Sequence, residues 1–273
     1  MRDLKKFIFL FRFLICFAFI GMATTGCAQT SRSVAFFKDT EAHELAKAVE
    51  NNNLSKIEVL VKENPRLLEV SSESGSNVLA LSVHMENFQS FKKLLELGAD
   101  PNFINPYTKY SILMESIKPY GNSMEWVKDN RFAQLLLKYG AEPNYAVEAE
   151  FTNVKGNHIL ASSPLLQASR LNLDMVKLLI AHKADYNQRV DGKTPFSGAV
   201  SSRKFEIIDY YIDSLNIDVR EPMRVIGNDS LFIQDYLNRF MNYEEESEGY
   251  RKKMELIGKL ESKGVDFKNY KYK

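Results

Sequence analysis

The side chains that could do acid–base, nucleophilic or metal chemistry are scattered along this chain. Its four histidines, His43, His84, His158 and His182, stand far apart, with no metal-ligand spacing between any two. His182 falls where a helix is expected to end, and a cation is favoured at a helix C-terminus, so its reading is structural. Gly192-Lys193-Thr194 mimics the end of a phosphate-binding loop, but Asn187 occupies the place of the leading glycine. Ser76 follows Gly75 without the frame of a nucleophile elbow. Glu148 and Glu150 are paired carboxylates of a kind that recurs on every charged surface, and they read as a solvated face. No catalytic residue, metal site or cofactor is assigned, and the expectation is a non-enzymatic protein.

The elements that must position these side chains repeat. The closing residues of successive helix pairs are Glu63-Asn64, Leu97-Gly98-Ala99-Asp100, Tyr139-Gly140-Ala141-Glu142, His182-Lys183-Ala184-Asp185, Leu215-Asn216-Ile217-Asp218 and Lys263-Gly264-Val265-Asp266. From Asn64 through Gly98, Gly140, Lys183 and Asn216 to Gly264 the steps are 34, 42, 43, 33 and 48 residues. A basic period near 33, stretched by insertions, means stacked helix pairs and not one globular core. Glycine at the closing position allows left-handed backbone. Asn64 and Asn216 are the next best substitutes, and Lys183 there costs some stability.

Four units carry further consensus. Asp191-Gly192-Lys193-Thr194-Pro195-Phe196 is followed by Ala199 and Val200, and Ser163-Pro164-Leu165-Leu166-Gln167-Ala168-Ser169 by Met175-Val176-Lys177-Leu178-Leu179-Ile180. The second unit keeps Gly75, Leu79 and Leu94-Leu95-Glu96-Leu97, and the third Leu113 and Leu135-Leu136-Leu137-Lys138. These units resemble ankyrin repeats over most of residues 40–267. The resemblance implies an all-α solenoid of about six helix pairs with short β-turn or hairpin fingers, held by neighbour contacts. Leu178 and Leu179 are expected in that core. The terminal units read as degenerate caps, with helices at 41–52 and 54–63 at one end and 230–243 and 246–263 at the other.

The chain begins with a basic lead, Arg2, Lys5 and Lys6. An apolar stretch at 7–20 follows, interrupted by Arg12 and Cys16, and then Thr24-Thr25-Gly26-Cys27. That order describes a removable export signal. The last residues resemble a bacterial lipobox, which implies acylation of Cys27, although Thr24 replaces the usual leucine; ordinary cleavage after Ala28 is the alternative. The expected division is residues 1–26 as signal, 27–37 as tether and 38–273 as repeat domain, folded from about Phe37. Loss of the signal leaves 32 basic and 34 acidic residues of the original 36 and 35, a net charge of −2. With no basic stripe and no nucleic-acid motif, nucleic acid is not an expected partner. No second transmembrane segment is expected, since charges break every later apolar stretch. Several acyl chains would anchor the protein stably, and Ala28 beside the cysteine points to the outer membrane, facing the periplasm.

The repeats are broken in two places. Residues 118–131 enlarge the third unit and contain the only tryptophan, Trp126, while 145–162 form a long finger into the fourth. Insertions in solenoids map to loops, often on the binding face, and aromatic anchors dominate interfaces. Tyr107, Trp126 and Phe151, with Glu148 and Glu150 beside them, are the candidate partner contacts; Trp126 has the equal alternative of plugging a gap between helices. The expected function is a monomeric protein-binding module at the bacterial envelope. Its layout is similar to that of immunity proteins that neutralise toxins, and the alternative is a structural or regulatory adaptor for an endogenous protein.

Overall fold

A computed structural model describes residues 33–117 and 130–273. Cys27 and the signal lie outside the described residues, as does Trp126 with most of the enlarged segment. The described chain forms two units, divided after Ala99.

The first unit holds α1 (His43–Glu50) paired with α2 (Leu54–Glu63), and α3 (Val78–His84) paired with α4 (Phe88–Glu96). First helix packs on first helix, and second on second. In α4 the buried residues are Ser90, Phe91, Leu94 and Leu95, the i, i+1, i+4, i+5 set that faces one side of a helix. Asn87 and Ser90 tie the pairs together. The Asn87 carboxamide donates to the carbonyls of Val49 and Glu50, and Ser90 Oγ donates to Asn52 at 2.7 Å. Asn52 has φ 50°, a turn conformation that asparagine tolerates. Burial begins at Val34 and continues at Phe37, so packing reaches into the stretch expected as tether.

Asn64 departs from expectation. Its φ is −142°, because Pro65 follows and excludes helical geometry from the residue before it. The Asn64 side chain instead accepts the Arg66 N–H and starts a 3-10 turn, Pro65–Leu68.

The second unit continues with α5 (Ile112–Ile117), α6 (Arg131–Lys138), α7 (Pro164–Ala168), α8 (Leu173–Ala181), α9 (Pro195–Ser201) and α10 (Phe205–Asp209), which runs into a π turn at Tyr210–Ser214. It closes with α11 (Ile233–Phe240) and α12 (Glu248–Ser262). The first helices, α5, α7, α9 and α11, pack side by side in sequence order. Their entries are capped as the Thr-Pro and Ser-Pro pairs require: Thr194 Oγ1 accepts the Ser197 N–H, Ser163 Oγ accepts that of Leu166, and each proline takes the first helical position.

Helix ends also obey the repeat. Gly98, Gly140 and Gly264 have φ of 96°, 90° and 87°, and Asn216 and Lys183 adopt 48° and 68°. The acid that follows each close has a local task. Asp100, Glu142, Asp185 and Asp218 each accept the backbone N–H two residues on, folding the chain out of the helix and into the finger. An asparagine ladder then links neighbouring fingers. Asn102 donates to Gly140 O and accepts from Glu142 N; Asn144 does the same with Lys183 O and Asp185 N.

Leu179 is fully buried, but Leu178 is only half-buried, because the buried face of α8 runs through Met175, Val176 and Leu179 and Leu178 sits at its edge. The last pair differs from expectation as well. An unforeseen hairpin, β3 (Arg224–Ile226) with β4 (Asp229–Leu231), takes Ser230 and Leu231, the first two residues of the helix expected at 230–243, so α11 starts later, at Ile233. The chain end folds back over α11. Buried Asp235 accepts the backbone N–H groups of Phe232 and Lys273 and the Tyr270 hydroxyl. Burial alone would raise the Asp235 pKa, but these donors outweigh it and hold the carboxyl below its ordinary value.

Candidate protein-binding surface

The fingers of the second unit form a connected group. The first is closed by a bridge between Ile104 and Ser111. The next is the long one, with a bridge between Val147 and Ser162 and a hairpin of β1 (Phe151–Thr152) and β2 (His158–Ile159). A small core holds it down: Tyr110, Met114, Val147 and Ile159, with Tyr145 and Phe151 against them. Tyr110 Oη donates to Leu160 O at 2.9 Å and Tyr145 Oη to Lys109 O at 2.8 Å, so the long finger is pinned to the preceding one.

The third finger bears the Gly-Lys-Thr string, and its geometry accounts for those residues fully. Gly192 has φ 70°, and a Cβ there would stand 1.9 Å from Val225 O of the hairpin beside it. Its carbonyl accepts the Val225 N–H, and Lys193 bridges to Arg224, so this finger and the β3–β4 hairpin form one continuous antiparallel patch. Lys193 lies 2.8 Å from Asp191 and 3.5 Å from Glu150, and Arg224 lies 2.9 Å from Asp191. Hydrogen bonding from Lys193 outweighs a small burial penalty and holds the Asp191 carboxyl below its usual range.

Five apolar side chains project from this group into solvent: Ile104, Val154, Leu160, Val225 and Ile226. Val154, at the tip of the long finger, is 89% exposed and Ile226 is 51% exposed. Among the residues singled out from sequence, Tyr107 lies in the first finger with Lys155 of the long finger 4.2 Å above its ring. Glu150 ties the long finger to the third through Lys193, with His158 Nε2 at 3.4 Å, while Glu148 is exposed. Phe151 is half-buried on the finger core. Tyr107, Glu150 and Phe151 therefore share the finger group, and Phe151 serves as its support.

A cleft of about 440 Å³ opens between the residues around Tyr186–Arg189 and Asn216–Met223. Two of its ionic groups are committed: Arg189 donates to the carbonyls of Gly192 and Pro222, and Asp218 receives a bidentate Arg220. Among the described residues no group of three or more His, Cys, Asp or Glu is placed to hold a metal ion. No described helix is long and apolar enough to cross a membrane.

No protein-family model matches the chain, and no curated protein matches it in sequence. Among solved structures it is similar to the crystal structure of the human ASB11 ankyrin repeat domain. The two share 16% identity at a TM-score of 0.55, over 82% of this chain and 85% of that one. That likeness, with the capped helix pairs and short antiparallel fingers, establishes the ankyrin-repeat fold.

Proposed function

We propose that this protein is a protein-binding module of the bacterial envelope, exported, held by an acylated Cys27 at the outer membrane and facing the periplasm. In this reading it acts as a monomer and neutralises a toxin in the manner of an immunity protein. One observation carries the binding reading: five solvent-facing apolar residues, Ile104, Val154, Leu160, Val225 and Ile226, borne on fingers that are tied to one another. Exposed apolar side chains gathered on one supported surface mark an interaction site. Tyr107, Glu148 and Glu150 border it, and Trp126 belongs to the same third unit. The export signal and Thr25-Gly26-Cys27 support the location.

The test is capture from envelope extracts with the full chain as bait, followed by co-expression with whatever is captured. A protein toxic alone and harmless beside this chain is the expected result. A harmless endogenous envelope protein as sole partner would replace the immunity reading with the adaptor one. In the same cells, labelled palmitate should mark wild type and not Cys27→Ala, and equal labelling would remove the anchor.

A further inference from the structure

Arg170 follows the end of α7, and its stem runs across α9, where a Cβ on Gly198 would approach Arg170 Cγ to 3.4 Å. The residue is half-buried, and its guanidinium makes no hydrogen bond or ion pair among the described residues. Tyr110 and Tyr236, from α5's finger and from α11, are both within electrostatic reach of it, so it stands over the row of first helices at the base of the fingers. Neither phenol can neutralise it. Tyr110 Oη donates to Leu160 O, and burial raises both pKa values.

The surrounding carboxylates are already committed. Glu150, which faces Tyr110, is taken by His158 and Lys193; Asp191 by Lys193 and Arg224; Asp235 by Tyr270 and two backbone amides. Two further arginines, Arg224 and Arg239, face Tyr236. Arg170 is therefore left without a counter-charge while burial withdraws it from water, a costly arrangement unless a counter-charge arrives. Burial lowers the Arg170 pKa, in keeping with that cost. Three residues earlier, Gln167 is 9% exposed and its Oε1 is an acceptor with no hydrogen-bond partner.

We propose that Arg170 receives a carboxylate side chain from an extended acidic segment of the partner protein, laid along the first helices beneath the fingers. The proposal rests on the protein-binding reading and names the chemistry of the partner. A guanidinium offers a planar fork that matches a carboxylate with two parallel hydrogen bonds, and an extended chain carries backbone N–H groups suited to Gln167.

The probe is a short fluorescent peptide alternating glutamate and serine, compared with its glutamine-for-glutamate twin by anisotropy titration against the full chain. The glutamate peptide should bind wild type at least about tenfold more tightly than the twin, and Arg170→Gln should lose about tenfold, the usual worth of a charged hydrogen bond. Arg170→Lys should retain part of the preference, and added salt should weaken it. Arg220→Gln, at a solvent-exposed pair with Asp218, should change nothing. Circular dichroism checks that each variant is folded, and if Arg170→Gln is not, discrimination by Arg170→Lys decides. Equal binding of the two peptides, no binding of the glutamate peptide, or unchanged affinity in the Arg170 variants would overturn the assignment. A partner captured from the envelope that still binds Arg170→Gln at full strength would remove the acidic segment and keep the protein-binding reading. Failure to capture any protein would remove that reading itself.

Discussion

The two units use the same packing and differ in what they leave outside it. In residues 33–99 the link between the helix pairs holds a 3-10 turn and no strand pair, and the exposed large apolar residues are Phe36 and Val59 alone. Its charges pair locally, with Lys47 and Lys56 on Glu44 and Lys62 and Lys93 on Glu58; hydrogen bonding from Lys56 pulls the Glu44 carboxyl down to about 2. From residue 100 onward the linking segments become hairpins with a small core of their own, and apolar side chains stand at their exposed ends. The helices thus supply the packing common to both units, and the fingers of the second carry the exposed apolar residues on which the proposed recognition rests.

Whether the two units share one kind of packing is tested at the core. Leu94 in α4 and Leu179 in α8 are both completely buried. Each leucine-to-alanine change should cost about 2–5 kcal/mol in chemical denaturation, the range for core leucines. A difference between them larger than that spread would mean the two units are not held by the same packing. Glycine positions sharpen the contrast. Gly98 and Gly192 both have positive φ, but a Cβ on Gly98 meets nothing within 4 Å, whereas one on Gly192 would collide with the Val225 carbonyl. Gly98→Ala should cost about 1 kcal/mol from backbone geometry alone. Gly192→Ala should cost about 1–3 kcal/mol and loosen amide protection at Val225, because finger and hairpin must part. Equal costs with Val225 still protected would show that the finger contact is not tight.

The repeat phase was legible because each close is a short local string whose geometry only a few residues tolerate, and the Gly98, Gly140, Lys183, Asn216 and Gly264 torsions follow from it. Asn64 misled because its neighbour, Pro65, decides its backbone. Leu178 misled because adjacent leucines in a helix differ by 100° in direction, and the pattern alone does not say which faces inward. The β3–β4 hairpin escaped notice because its partner is the Gly192 finger, over thirty residues earlier in the chain. Arg170 is invisible for the same kind of reason. Its setting is made by Tyr110 and Tyr236, each about sixty residues away, and nothing near it in sequence marks it as unpaired. Val154, next to Asn153 and Gly156 in a turn, carried the one local clue that went unused: a β-branched apolar residue where a polar tip is usual.

On the proposed function, recognition belongs to the fingers of residues 100–273. Its most direct test is the affinity of the captured partner for two double variants, Val154→Asp with Ile226→Asp and Phe36→Asp with Val59→Asp, measured by calorimetry. Both pairs are exposed, so helical content should stay that of wild type. The finger variant should lose about 2 kcal/mol or more of binding free energy, roughly thirtyfold, if one of its residues is an anchor, and the other variant should match wild type. The reverse pattern, or equal loss in both, would contradict the account.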